Sequence, residues 1–307
     1  RSPWTLGGAS AVLGLGHLAL ALGVQAVVAR ESDDDHHDQH FGLLTAGVSL
    51  GQLFGPLIGG LLLGHRSGAA LVPATTRAML VAAGIAGGAL LCAILAERGH
   101  KAAPLAAPLD VAEGKLRHIL LTPGVPAGIF ASIAVLSTSD VFTAYLPVLG
   151  EQRGIGPAVI GVLLALRAGF SLVSRIGIGT LVRRVGRLRL ITISAAAAAV
   201  ALAAMTFTHD VVMLGVLCAV VGAGIGFGQP LSMTIVVQLV PDYARATALA
   251  VRLTGNRLGQ VAAPAAAGLI AGNAGAGAVF WLLSGLLVAS AAAVQRPVVR
   301  RRLAGRS

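Results

Sequence analysis

Long apolar runs dominate this chain, and no other feature limits its fold as sharply. Nine stretches carry few charges: Leu6–Ala29, Phe41–Leu63, Met79–Ala96, Thr122–Leu149, Pro157–Val182, Leu188–Phe207, Val211–Leu239, Ala244–Ala271 and Ala274–Val294. A helix that crosses a bilayer needs roughly 20 predominantly apolar residues at 1.5 Å per residue. A transmembrane β-barrel would instead alternate apolar and polar residues over about ten positions. These runs are continuous, so the expected fold is all-α, a polytopic integral membrane bundle with about nine transmembrane helices. Charged residues make up 11% of the chain, against about 25% in soluble domains. A water-soluble globule is therefore excluded, and so is a disordered chain, which would need high charge and low hydrophobicity.

The net charge of +11 arises from 21 Arg and two Lys, Lys101 and Lys115. In a soluble protein such charge would suggest nucleic acid. Here its position matters more. If consecutive loops alternate sides, one side collects fifteen basic residues, among them Arg30, Arg98, Arg117, Arg183, Arg184, Arg187, Arg189 and Arg300–Arg302. The other side holds Arg1, Arg66, Arg77 and Arg153. The positive-inside rule assigns the fifteen to the cytoplasm, together with the C-terminus. Contact with anionic lipid then accounts for the charge without nucleic acid. Both cysteines, Cys92 and Cys218, lie in apolar runs, which argues against a disulfide framework. The polar break around residues 98–120 reads as a linker. It separates a three-helix region (1–97) from a six-helix region (121–296), which a basic tail follows (297–307).

Two motifs carry a resemblance. Gly47, Gly51, Gly55 and Gly59 recur every fourth residue, a smooth helical stripe that a neighbouring backbone can approach. Pro56 removes a backbone hydrogen bond and permits a bend. Gly51, Gly55, Pro56, Gly59 and Gly60 together resemble the fifth-helix signature GxxxGPxxGG of antiporters in the major facilitator superfamily. Three spans later, Arg175–Arg189 is similar to the second-half copy of that family's GxLaDrxGrr loop. Arg183, Arg184, Gly186 and Arg187 carry the likeness, although Val182 and Arg183 stand near where the acidic member would be.

The resemblance covers nearly the whole chain. It implies helices four to twelve of a twelve-helix transporter, with residues 98–120 as the central cytoplasmic loop and the first three helices not in this sequence. The family's fourth helix often carries an arginine tied to proton coupling. Leu6–Ala29 has none, and His17 is its only ionisable group.

Ionisable groups within spans mark the candidate route, because a charge in hydrocarbon is expensive and persists mainly for function or pairing. Asp140 is the sole acidic residue within a span, sharing an arc with Ser137 and Thr143. It reads either as a cavity-facing protonation or substrate site, or as a group wetted at the outer helix end, about 27 Å from Thr122. Arg167 lies about 15 Å into its span. Arg175, near a helix end, is expected to snorkel. Arg252, Asn256, Arg257 and Gln260 share one polar arc, and Gly255, Gly259 and Ala263 the adjacent packing arc. The arc reads as cavity lining or as pairing of its arginines to Asp140 and to helix carbonyls.

Gly222, Gly224, Gly226 and Gly228 do not match the dinucleotide spacing GxGxxG and read as a closely packed helix, with Gln229 and Pro230 as a gate. The acidic and histidine-rich stretch 33–40 could ligate a metal, but a solvated turn is the simpler reading. No metal site, cofactor or enzymatic motif is expected.

The expected function is secondary transport of a small solute by alternating access, possible proton coupling included, with efflux or antiport implied by the Gly51–Gly60 resemblance. An uptake permease or facilitator is the alternative within transport. A non-transporting membrane fragment, sensor or scaffold is the alternative of another class. The expected partners are the solute, protons and the lipid bilayer, with the protein a monomer in the plasma membrane.

Overall fold

The computed structural model describes residues 4–5, 7–16, 20, 37–64, 70–97, 120–176, 178–241 and 244–297, with side-chain surroundings not described at 37–46, 93, 96–97 and 245–246. All regular structure among these residues is helical. In chain order the helices are α1 (Gly7–Gly16), α2 (His37–Leu63), α3 (Leu71–Glu97), α4 (Val125–Gln152), α5 (Pro157–Ile176), α6 (Ile178–Val185), α7 (Arg187–Met205), α8 (Val211–Leu239) and α9 (Arg245–Val294). Helices prevail because hydrocarbon offers backbone groups no hydrogen bonds, and a helix satisfies its own. Among the described residues, six helices are long and apolar enough to cross a membrane: parts of α3 and α9, and all of α4, α5, α7 and α8.

The chain divides into two compact units, residues 1–52 and 53–307, with α2 running over the boundary. Within the second unit, α4, α5, α7, α8 and α9 enclose two apolar clusters. One contains Phe142, Leu146, Leu202, Met205, Leu214, Phe280 and Leu283, with the Phe142 and Phe280 rings edge to face at 5.9 Å. The other contains Val125, Ile129, Leu190, Ile235, Leu239, Ala248 and Val294. Large apolar side chains such as Val173, Val200, Val212, Val261 and Leu269 face outward, as lipid-facing surfaces do and soluble surfaces rarely do. On α3, Ala74 alone is buried among the described side chains.

Three boundaries differ from the sequence reading. The span drawn as Pro157–Val182 ends at Ile176, and residues 178–185 form the separate helix α6. Its Ile178, Leu181 and Val182 pack on the second cluster, while Arg183 and Arg184 are exposed. That amphipathic period is hidden when the apolar residues are read as one run. The span drawn from Met79 begins at Leu71, so Arg77 lies inside α3.

The two last spans form one 50-residue helical element interrupted at Gly275, whose φ of 80° and ψ of 168° are not helical. Ala248 and Val294 share a buried cluster. A straight helix would hold them about 69 Å apart, so the chain reverses at Gly275, where a positive φ suits glycine. The linker 98–119, the tail 298–307 and residues 33–36 lie outside the described residues.

Candidate functional site

Between the two apolar clusters lies a belt of buried polar side chains. It includes Ser132, Ser137, Thr138 and Ser139 on α4, Arg167, Ser171 and Ser174 on α5, and Arg252 and Asn256 on α9. Polar groups survive burial when they bond one another: Ser132 bonds Asn256 and Ser139 bonds Arg167, while Ser137 Oγ and Thr138 Oγ1 have no hydrogen-bond partner among the described residues.

Asp140 occupies the sixteenth position of the 28-residue α4, about 22 Å from its start. The helix runs on to Gln152, so Asp140 sits near its middle rather than at the outer end considered above. Its Oδ2 accepts from Gln260 Nε2 at 2.7 Å. Gln260 Oε1 in turn accepts from Arg257 Nη1 at 2.8 Å. The beginning of this chain is part-buried and its end is exposed. Arg167 is 5% exposed, donates to Ser139 Oγ at 3.0 Å and lies 5.9 Å from the centre of the Phe142 ring. The aromatic face and the hydroxyl together offset part of the cost of burying the guanidinium.

The polar arc on α9 does not act as one wet face. Arg252 and Asn256 are buried, whereas Arg257 is exposed. Asn256 Oδ1 accepts from Ser132 Oγ at 2.9 Å. Arg252 Nη2 donates to the main-chain oxygen of Gln229 at 3.3 Å. The adjacent glycine arc packs as its pattern suggests. A Cβ at Gly255 would lie 3.1 Å from Ile133 Cδ1, and one at Gly259 would lie 2.5 Å from Ile133 Cγ2 and 2.9 Å from Ser137 Oγ. α4 and α9 thus meet closely beside the Asp140–Gln260 bond.

Arg175 does not snorkel away. Its Nη2 donates to Gln229 Oε1 at 3.3 Å. Terminal position favoured snorkelling, yet Gln229 on α8 offers a nearer acceptor. Gln229 is therefore approached by two arginines, one on its side chain and one on its carbonyl. Pro230 follows within α8 and cannot donate to the carbonyl of Gly226.

The glycine motif on α2 behaves differently from its pattern. Among the described residues a Cβ at Gly55 or Gly59 would meet no atom within 4 Å, and the same holds of Gly47 and Gly51 within residues 1–52. The close approach is made by Gly60, one residue off the stripe. A Cβ there would lie 2.8 Å from Pro157 O and 2.9 Å from Gly161 Cα; one at Gly161 would lie 2.6 Å from Pro56 O. Ala158 N–H donates to Gly64 O across the same crossing at 3.3 Å.

At the motif-bearing loop, Arg183 donates to Thr180 Oγ1 at 3.3 Å and Arg187 to Gln238 Oε1. Gly186, with φ 84°, precedes α7. These residues stand apart from the Asp140 group.

Sequence reasoning missed Ser132, Ser139 and Arg153. Hydroxyls inside apolar helices are ambiguous, because they can bond their own backbone, as Thr143 does to Ser139 O at 2.8 Å. Arg153 reads as an ordinary loop charge, but its guanidinium caps α7 by donating to Met205 O at 2.9 Å, Thr206 O at 3.0 Å and Thr208 O at 2.7 Å. Partial burial lowers its pKa from the usual arginine value. No cluster of metal-ligating side chains occurs among the described residues.

Comparison with known proteins adds an independent line. The family model for the Major Facilitator Superfamily matches residues 1–234 and 128–305. A search of curated proteins returns no match. The helical bundle, its lipid-compatible surface and a family match across nearly the entire chain lead to one conclusion: this protein belongs to the Major Facilitator Superfamily, a family of membrane transporters.

Proposed function

We propose that the protein moves a small solute by alternating access, that proton exchange at Asp140 drives it, and that the direction is efflux. The observation that carries this reading is the Asp140–Gln260–Arg257 chain, which ties the middle of α4 to α9. Hydrogen bonds to an ionised carboxylate are roughly twice as strong as neutral ones. Protonation of Asp140 would therefore weaken the Gln260 bond and loosen the α4–α9 contact beside it.

The Gly60–Gly161 crossing suits a gate, because two backbones without interlocking side chains can part with little repacking. Efflux rests on the likeness of Gly51–Gly60 to the antiporter signature. The cytoplasmic side is assigned to the fifteen basic residues, and with it the C-terminus.

The test uses the purified chain in vesicles loaded with a pH-sensitive dye. Small anions, amphipathic drugs and sugars are added in turn under an imposed pH gradient. One class should elicit proton movement, and Asp140→Asn should abolish it while Asp140→Glu retains part. Proton-coupled exchange that persists in Asp140→Asn would reject the role.

A further inference from the structure

At the end of the bundle where α7 gives way to α8, two aromatic rings stand on the outer surface. Phe207, just past the end of α7, is 74% exposed, and Trp281 on α9 is 52% exposed. Their rings meet edge to face, with centres 5.9 Å apart and 81° between their planes. Trp281 lies six residues beyond the reversal at Gly275, about 9 Å along the returning arm. Side chains tilt towards the N-terminus of their helix, so the indole rises from this arm towards the turn that carries Phe207. Among the described residues no group accepts from the indole N–H.

The surroundings fix the level of the pair. On one side are polar groups. Arg153 donates to the carbonyls of Met205, Thr206 and Thr208, and Asp210 accepts from the Met213 N–H at 2.7 Å. On the other side the exposed surface of both helices is apolar. Val200 sits two turns before Phe207, Val288 sits two turns after Trp281, and each is more than half exposed. Residues seven apart share a helical face, so the rings crown two apolar stripes. Tryptophan collects at the membrane interface because its body is apolar while its N–H needs an acceptor. The glycerol-ester carbonyls of phospholipids lie at that level of a bilayer, and they accept without donating.

We propose that Trp281 and Phe207 form a binding site for the glycerol-ester region of a phospholipid. The indole N–H donates to an ester carbonyl, Phe207 holds the indole plane, and an acyl chain lies along Val200 and Val288. The occupant is lipid because the site continues a surface whose exposed positions on both helices, Ile193, Ala196, Val200, Gly285, Val288 and Ala289, are apolar. The site is independent of the transport reading and of which side of the membrane this end faces.

The test uses the full chain with Trp4→Phe, which leaves Trp281 as its one tryptophan, in phosphatidylcholine vesicles. Lipid brominated near the ester should quench its fluorescence about twice as strongly as lipid brominated near the chain end. Phe207→Ala should bring the two closer to equal, because the indole loses the ring that holds it. The hydrogen bond is read separately, by calorimetric unfolding in an uncharged detergent with added short-chain phosphatidylcholine. The diester lipid should raise the midpoint by about 2 °C more than its diether analogue, which lacks the carbonyls. Trp281→Phe keeps an aromatic ring without the N–H and should erase that difference. Equal or stronger quenching from the chain-end bromine overturns the proposal. Quenching by neither lipid also overturns it, since another segment or a second copy would then cover the pair. So does a wild type that fails to distinguish diester from diether, or a difference that survives Trp281→Phe.

Discussion

Arg153 shows how much a single side chain can do at a helix end. The last carbonyls of any helix lack internal partners and carry partial negative charge. Arg153 supplies donors to three carbonyl oxygens where α7 ends, which joins the α4–α5 turn to the α7–α8 turn. Charge-assisted bonds of this kind contribute about 1–2 kcal/mol in partly buried settings. Arg153→Ala should lower the stability of the detergent-solubilised protein by about that amount, and Arg153→Lys should recover only part of it, since a point charge cannot reach all three oxygens. Thermal unfolding followed by tryptophan fluorescence measures both. Asp140 was legible in the sequence because it is the lone acid within an apolar run. Its partner Gln260 was named as a candidate too, but nothing along the chain joins two residues 120 positions apart.

Helices α8 and α2 show two opposite uses of glycine. On α8, Gly222 and Gly226 back onto Arg167, Ser171 and Ser174 of α5, Gly224 onto Ser194 and Ala198 of α7, and Gly228 onto Val135 of α4. A Cβ at Gly222 would run into the main chain of Arg167. Gly222→Ala should therefore destabilise by about 1–3 kcal/mol through overpacking. A Cβ at Gly55 on α2 would meet no described residue within 4 Å, so Gly55→Ala should be neutral or stabilising by about 0.5–1 kcal/mol from helix propensity. Thermal unfolding of the two variants side by side separates these cases. A loss at Gly55→Ala comparable to that at Gly222→Ala would mean that the stripe is covered in the membrane. Sequence spacing identified both glycine series as close-packing surfaces, and on α2 the close approach among the described residues is made by Gly60, a member of the motif one residue off the Gly47–Gly59 stripe.

The bundle has an apolar cluster towards each end and a polar belt between them, enclosed by a surface suited to lipid. That layering follows from the cost of polar groups in hydrocarbon, which gathers them where they can bond one another. Topology is testable in a Cys92→Ala background, because Cys92 is exposed and Cys218 is buried. Glu151 lies in the last turn of α4 and Arg187 starts α7, and both described helices are long enough to cross. A membrane-impermeant maleimide applied to intact cells should label Glu151→Cys and spare Arg187→Cys. Labelling of Arg187→Cys alone would invert the orientation derived from the basic loops.

Helical class, the lipid-facing character and the family likeness were all readable from the chain, because the bilayer leaves a spanning backbone few options and hydropathy runs record that directly. Helix rotation and pairing were not readable. Whether Arg252 faces Gln229 or lipid, whether Arg175 turns inward, and whether 50 residues run straight or reverse at Gly275 depend on surfaces contributed by distant segments. The energies that settle such choices belong to contacts between helices, and no local pattern of residues encodes them.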